Sequence, residues 1–167
     1  MQLNIDNTLL EAVLGGTLRG LEMTTIAPTP VGASRLARAG HEMSVIVGLA
    51  GKTNGSLSIN LSRRAMLMIA GGLLGEPQAD LNDDNLDAIM EVGNMVAGSI
   101  KEALAKSDFH VSEISLPSLV FGRDFSVVWA RGITTAAVEF EINEMPVLHM
   151  HDRFFTTSIS LLRGSGR

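Results

Sequence analysis

The chain contains no cysteine and no tyrosine, and only one tryptophan among its 167 residues. The first absence excludes disulfides, thiolate nucleophiles and cysteine-based zinc sites. With six phenylalanines as the remaining aromatics, few platforms exist on which a base or sugar could stack, and the core falls to aliphatics, alanine and methionine. Positive charge is also short. Lys and Arg number 13 against 18 Asp and Glu, a net charge of −5, which argues against the basic surface that nucleic acid requires. No stretch reaches ~18 apolar residues without charge, so nothing reads as membrane-spanning. The N-terminus, Met-Gln-Leu-Asn-Ile-Asp, lacks a basic segment leading into an apolar run, so the reading is a cytoplasmic protein without a signal peptide. Hydrophobic residues at 46% against 19% charged describe a folded chain, and its length suits a single domain, 1–167, with a core that needs no staples.

Hydrophobic spacing predicts a helix over 5–20, capped by Asp6 or Asn7, with Leu9, Leu10, Val13, Leu14 and Leu18 recurring at helical steps. Gly15-Gly16 inside it costs ~1 kcal/mol per glycine relative to alanine. Either the helix breaks there or a neighbour packs against its backbone. Residues 22–31 read as extended, ending in Pro28 and Pro30, and Arg35, Arg38 and Gly40 occupy a polar loop. From Met43 the period becomes two: Val45, Val47 and Leu49, a turn at Lys52-Thr53-Asn54-Gly55, then Leu57, Ile59 and Leu61 alternating with Ser56, Ser58 and Asn60. Ser62 caps a predicted helix over 63–75 that Gly75-Glu-Pro77 stops, and Asn82 or Asp83 caps a long one over 83–106. Strands follow. Val111 to Val120 is interrupted by Pro117; Phe125, Val127 and Trp129 alternate; Val138, Phe140 and Ile142 alternate with Glu139 and Glu141; a last strand covers 153–162 before a frayed tail, 163–167. Each half starts with a helix followed by antiparallel strands, and Leu10-Glu-Ala-Val13 echoes Leu86-Asp-Ala-Ile89. The expected class is α+β: a mostly antiparallel sheet with long helices packed on one face and a pseudo-twofold internal repeat.

The chemistry-bearing pattern lies on the long helix. Asp87, Glu91, Asn94 and Gly98 are separated by four, three and four residues, which stacks them on one face. Leu86, Ile89, Met90, Gly93, Ala97, Ile100 and Leu104 form the core-facing side. Glu91 and Asn94 stand one turn apart, so one partner group can meet both. A carboxylate can pair with a lysine, and a carboxamide can hold and aim a water. A water held and aimed this way is what hydrolysis of an activated acyl phosphate requires, because most of the catalytic work is positioning. An ordinary solvated face is the competing reading of the spacing alone. Asparagine is a poor residue in mid-helix, and Met95 and Val96 make the face drier than a plain surface.

The stretch resembles the signature of the CheC/CheX/FliY family of chemotaxis phosphatases, in particular its CheX branch: an acid or serine, then glutamate, then asparagine, then a small residue or asparagine, here Asp87, Glu91, Asn94 and Gly98. Flanking blocks are similar too: Val45 to Ile59, Ala65 to Gly75 ending Leu-Leu-Gly-Glu, and Leu116-Pro-Ser-Leu-Val-Phe-Gly. The likeness covers roughly residues 5–162 and implies a CheC-like fold that hydrolyses the aspartyl phosphate of a CheY-like response regulator. It implies that Glu91 grips the receiver's lysine and Asn94 orients the attacking water, with Asp87, Met95 and Gly98 as partner contacts. It also implies no cofactor of its own, Mg²⁺ on the partner receiver, and a homodimer joined by sheet edges. A single copy of the motif fits CheX rather than a two-copy relative. The segment from Arg35 to His41 departs from the family's pattern. The alternative is a non-catalytic module that docks a receiver or scaffold through the same face.

Three other features carry candidate chemistry. His149 and His151, two apart on a strand, would share a face and could chelate a metal, although a third ligand is lacking and a turn explains them equally. Arg63 and Arg64, with Arg19, Arg35 and Arg38, could meet an acidic receiver or be plain solvated residues. Met66, Met68, Met90 and Met95 suit a core or an adaptable partner surface.

Overall fold

Each helix begins where the sequence supplies a cap. The computed structural model describes residues 5–37, 39–123 and 132–162. Helix α1 (Asn7–Gly20) starts at Asp6, whose carboxylate accepts the N–H groups of Thr8 and Leu9 at 3.0 and 3.2 Å. Helix α2 (Arg63–Leu74) starts at Ser62, whose hydroxyl accepts from the Ala65 N–H, and stops at Gly75, whose φ of 78° suits glycine. Helix α3 (Asp83–Leu104) opens with a reciprocal capping box in which Asn82 and Asn85 each accept the other's backbone N–H. Asp83 and Asp84 in its first turn complement the positive end of the helix dipole.

The strands are β1 (Thr29–Ser34), β2 (Met43–Gly51), β3 (Gly55–Leu61), β4 (Val111–Ile114), β5 (Ser118–Phe121), β6 (Ile133–Glu141) and β7 (Phe154–Leu162). They form one antiparallel sheet in the order β1-β6-β7-β3-β2-β4, with β5 also on β2. That order is palindromic about the β3–β7 seam. The β2–β3 and β6–β7 hairpins are equivalent, and the strand that follows each helix joins the other half's hairpin: β1 lies on β6, while β4 and β5 lie on β2. The expected pseudo-twofold repeat is therefore present, with exchanged outer strands.

Helices α1 and α3 cover one face, α1 over β6 and β7, α3 over β2, β4 and β5. Alternate strand residues feed the core beneath them: Val45, Val47 and Leu49, then Leu57, Ile59 and Leu61, then Val138 and Phe140, then Phe155, Ile159 and Leu161, all buried. Phe140 and Phe155 are register partners and stack at 5.2 Å. The tandem glycines of α1 do not break it. Gly16 abuts Ile100, and a Cβ on Gly20 would stand 2.6 Å from Val96 Cα, so the missing side chains let α1 and α3 pack backbone to backbone.

Several boundaries differ from the sequence reading. Residues 22–31 are not continuously extended. Glu22–Thr24 form a 3-10 turn, Thr25 takes a left-handed φ of 62°, and β1 begins only at Thr29. The Thr24 hydroxyl stabilises this turn by donating to Leu21 O at 2.7 Å and accepting from the Ile26 N–H. Val147–Arg153 is 3-10, kinked at His149, rather than the lead into a strand. The run from Val111 to Val120 is two strands separated at Ser115–Pro117. The alternation at Phe125, Val127 and Trp129, Arg38 and the tail 163–167 lie outside the described residues.

Candidate active site

The site rests on how α3 is seated. Gly93 faces the sheet, where a Cβ would come 2.5 Å from Val45 Cγ1 on β2. Val96 and Ile100 face α1. At ~100° per residue, Asn94 lies some 160° round the helix from Val96, so it looks away from α1 and over the β4–β5 edge. Glu91 and Asp87 are exposed on this side, and Asn94, Met95 and Gly98 are half-buried. The sequence-predicted stripe is thus one continuous face. Its core-facing counterpart differs in detail: Ala88, Val92 and Val96 are buried along with Ile89, Gly93, Ala97, Ile100 and Leu104, whereas Leu86 and Met90 are only half-buried.

Among the described residues, neither Glu91 nor Asn94 has a side-chain hydrogen bond or ion pair. Both are presented unengaged. Nothing lies within 4 Å of where a Cβ on Gly98 would be. A glycine in a helix interior costs ~1 kcal/mol relative to alanine, and no neighbour among the described residues demands it here. A groove of about 1000 Å³, lined by Arg63, Met68, Gln78, Met145 and His149 among others, includes no stripe residue. An exposed helix face with open ground at Gly98 suits a protein partner.

The remaining candidates go elsewhere. His149 and His151 lie in the kinked 3-10 segment, so the two-residue spacing does not put them on one strand face. His151 instead meets the buried His41, ring centroids 4.8 Å apart. No group of three His, Asp or Glu residues that could hold a metal ion occurs among the described residues. Arg63 and Arg64 are exposed and pair with Asp80 and Asp152, each at 3.2 Å, and Arg19 reaches Ser99 O at 3.4 Å. Met66 is wholly core, while Met68, Met90 and Met95 are partly covered.

Two features escaped the sequence reading. Asn60, expected on the wetter face of its strand, is buried and clamps the segment before β2. It accepts from the His41 N–H at 2.9 Å and donates to the His41 and Met43 carbonyls. The Ser115–Pro117 corner reaches α3, with Pro117 Cβ 4.0 Å from the Gly93 Cβ position. The proline was visible as a strand interruption, but its approach to the helix carries no local signal.

Comparison with known proteins identifies the family. The family described as "Chemotaxis phosphatase CheX" matches residues 43–141. A Thermotoga maritima protein named CheY-P phosphatase CheX is 29% identical over 130 residues, covering 74% of this chain and 81% of that protein. A structure from Desulfovibrio vulgaris Hildenborough superposes with a TM-score of 0.77 at 23% identity, over 96% of this chain and 99% of that one. A CheX-CheY-BeF3-Mg+2 complex from Borrelia burgdorferi contains a chain similar at TM-score 0.70 and 23% identity, over 96% and 99% of the two chains. No helix among the described residues is long and apolar enough to cross a membrane. With its signature helix inside the matched segment and the fold shared over 96% of its length, the chain belongs to the CheX family of chemotaxis phosphatases.

Proposed function

We propose that this chain hydrolyses the aspartyl phosphate of a CheY-like receiver domain, with Glu91 docking the receiver's active-site lysine and Asn94 orienting the attacking water. The water oxygen bonds to phosphorus in line with the departing aspartate oxygen, and that P–O bond breaks. The receiver's carboxylate is restored, and inorganic phosphate leaves with the water's protons distributed to it and to solvent. The Mg²⁺ that neutralises the phosphoryl oxygens belongs to the receiver. The enzyme adds a carboxamide that accepts a hydrogen bond from the water and fixes its line of approach. Beryllofluoride mimics a phosphoryl group, so the Borrelia complex supplies a precedent among relatives for binding an activated receiver.

The observation that carries the reading is the pairing of Glu91 and Asn94, one turn apart on an exposed face and both unengaged among the described residues, beside the open ground at Gly98. Asp87 and Met95 flank them as partner contacts. The exposed strand β1, at one end of the sheet, fits the homodimer that the family resemblance implies, and light scattering on the purified protein tests it.

The test is phosphate release from phosphorylated receivers of the same genome. Asn94→Ala is expected to lower kcat by ~10²-fold with the thermal midpoint preserved. Glu91→Ala is expected to raise KM. Wild-type turnover in both variants overturns the catalytic assignment, and a receiver that binds yet keeps its phosphate points to a docking module.

A further inference from the structure

Leu116 is 88% exposed, yet the chain around it is tightly held. The Ser115 N–H donates to Gly48 O at 2.9 Å, and the Gly48 N–H donates to Ser115 Oγ at 2.8 Å. That hydroxyl in turn donates to the Leu116 carbonyl at 2.8 Å. Pro117 fixes its own φ and limits the backbone of Leu116. Beyond it, Leu119 is opposite Val45, the residue on which Gly93 rests. A leucine is thus held out into solvent on a rigid corner, at the hydration cost that exposed apolar area carries.

Its distance from the stripe is bounded by the chain. Pro117 Cβ is 4.0 Å from the Gly93 Cβ position. One Cα–Cα step leads from Gly93 to Asn94 and another from Pro117 to Leu116, so the Cα atoms of Asn94 and Leu116 are at most about 15 Å apart. A specific protein interface covers ~800 Å² per partner, a disc of roughly 16 Å radius. Asn94 also faces the edge that carries this corner. Leu116 therefore lies within the radius that such an interface spans around Asn94.

Resting on the proposed function, we infer that Leu116 is a receiver-docking residue, a preformed aliphatic knob that enters a shallow apolar pocket on the receiver beside its phosphorylation site. The polar pair performs the chemistry and the knob selects the partner. Rigid presentation matters because an anchor already ordered before binding loses little entropy on docking.

The experiment measures steady-state dephosphorylation and direct binding to a beryllofluoride-activated receiver for wild type, Leu116→Ala, Leu116→Asp and Leu116→Met. Losing a buried leucine contact raises KM and Kd ~10-fold in Leu116→Ala. Leu116→Asp raises both further, and Leu116→Met stays near wild type. Turnover at saturation and the thermal midpoint hold in all three, which a merely structural role would not allow. An unchanged KM and Kd in Leu116→Asp overturns the inference while leaving the catalytic reading intact. So does a variant that alters only the oligomeric state, because the knob then contacts a second copy. A wild-type protein that neither binds nor dephosphorylates any receiver overturns the proposed function, and this contact with it.

Discussion

Gly93 of α3 lies against Val45 of β2 so closely that a Cβ there would stand 2.5 Å from the valine's Cγ1. Gly93→Ala gains ~1 kcal/mol of helix propensity but overpacks a buried contact, which costs ~1–3 kcal/mol. The expected net result is a destabilised protein, read by urea denaturation. Pairing it with Val45→Ala should recover part of the loss in a double-mutant cycle. Additive losses would show that the two residues do not press on each other.

Gly98 has the opposite character, since among the described residues no packing neighbour lies within 4 Å of its Cβ position. Gly98→Ala should stabilise the isolated protein by up to ~1 kcal/mol. Gly98→Leu should fold as well as wild type yet raise KM for the phosphorylated receiver. Stability and activity would then move in opposite directions at one position. A leucine variant with unchanged KM removes Gly98 from the docking face.

His41 has its pKa lowered, first by burial and then by the neighbouring His151, with Glu42, Asp152 and the Phe154 carbonyl opposing. The fold therefore prefers the neutral ring. The unfolded chain binds the proton more readily, so stability falls as pH drops from the ordinary histidine range toward the depressed folded value. Thermal midpoints at pH 7.5 and 5.5 should show this fall, in a window above the titration of Glu42, where burial is outweighed by two backbone hydrogen bonds together with the charges of Arg123 and His41, so that its pKa is lowered. His41→Gln keeps the backbone bonds to Asn60 and should flatten the response. An equal fall in the variant assigns the effect to other groups.

Arg153 is buried, with Nε and Nη2 donating to Glu141 Oε1 at 3.0 and 2.6 Å and Nη1 donating to Met145 O at 2.7 Å. Glu141→Ala strands most of this guanidinium charge and should cost ~2–3 kcal/mol. Removing both partners, in Glu141→Ala with Arg153→Met, should cost less than Glu141→Ala alone, as chemical denaturation can show.

What the sequence revealed and what it hid divide along physical lines. Ser62, Asn82 and Asp6 announce their helices because capping is local, and Val45 to Leu61 announces a hairpin because period two and a turn suffice. The stripe from Asp87 to Gly98 was legible for the same reason, as helical geometry alone aligns it. The resemblance supplied its chemical meaning, which the spacing left open. The exchanged strands were hidden because β1 meets β6 across most of the chain, a pairing that no window of residues encodes. Thr25 and the segment Val147–Arg153 misled because backbone reversals there depend on tertiary support. Asn60 read as a solvated strand residue because its burial depends on the segment at His41 that folds over it.

The exchange of outer strands has a consequence for the order in which a newly made chain acquires its shape. When β1 leaves the ribosome its neighbour β6 has not been synthesised, so a bare strand edge must wait, with Pro30 and the irregular pairing around Gly32 discouraging unwanted partners. The first hairpin waits too, until β4 and β5 arrive behind the signature helix. Neither half completes its share of the sheet before the other exists, because β1 needs β6 and β2 needs β4 and β5.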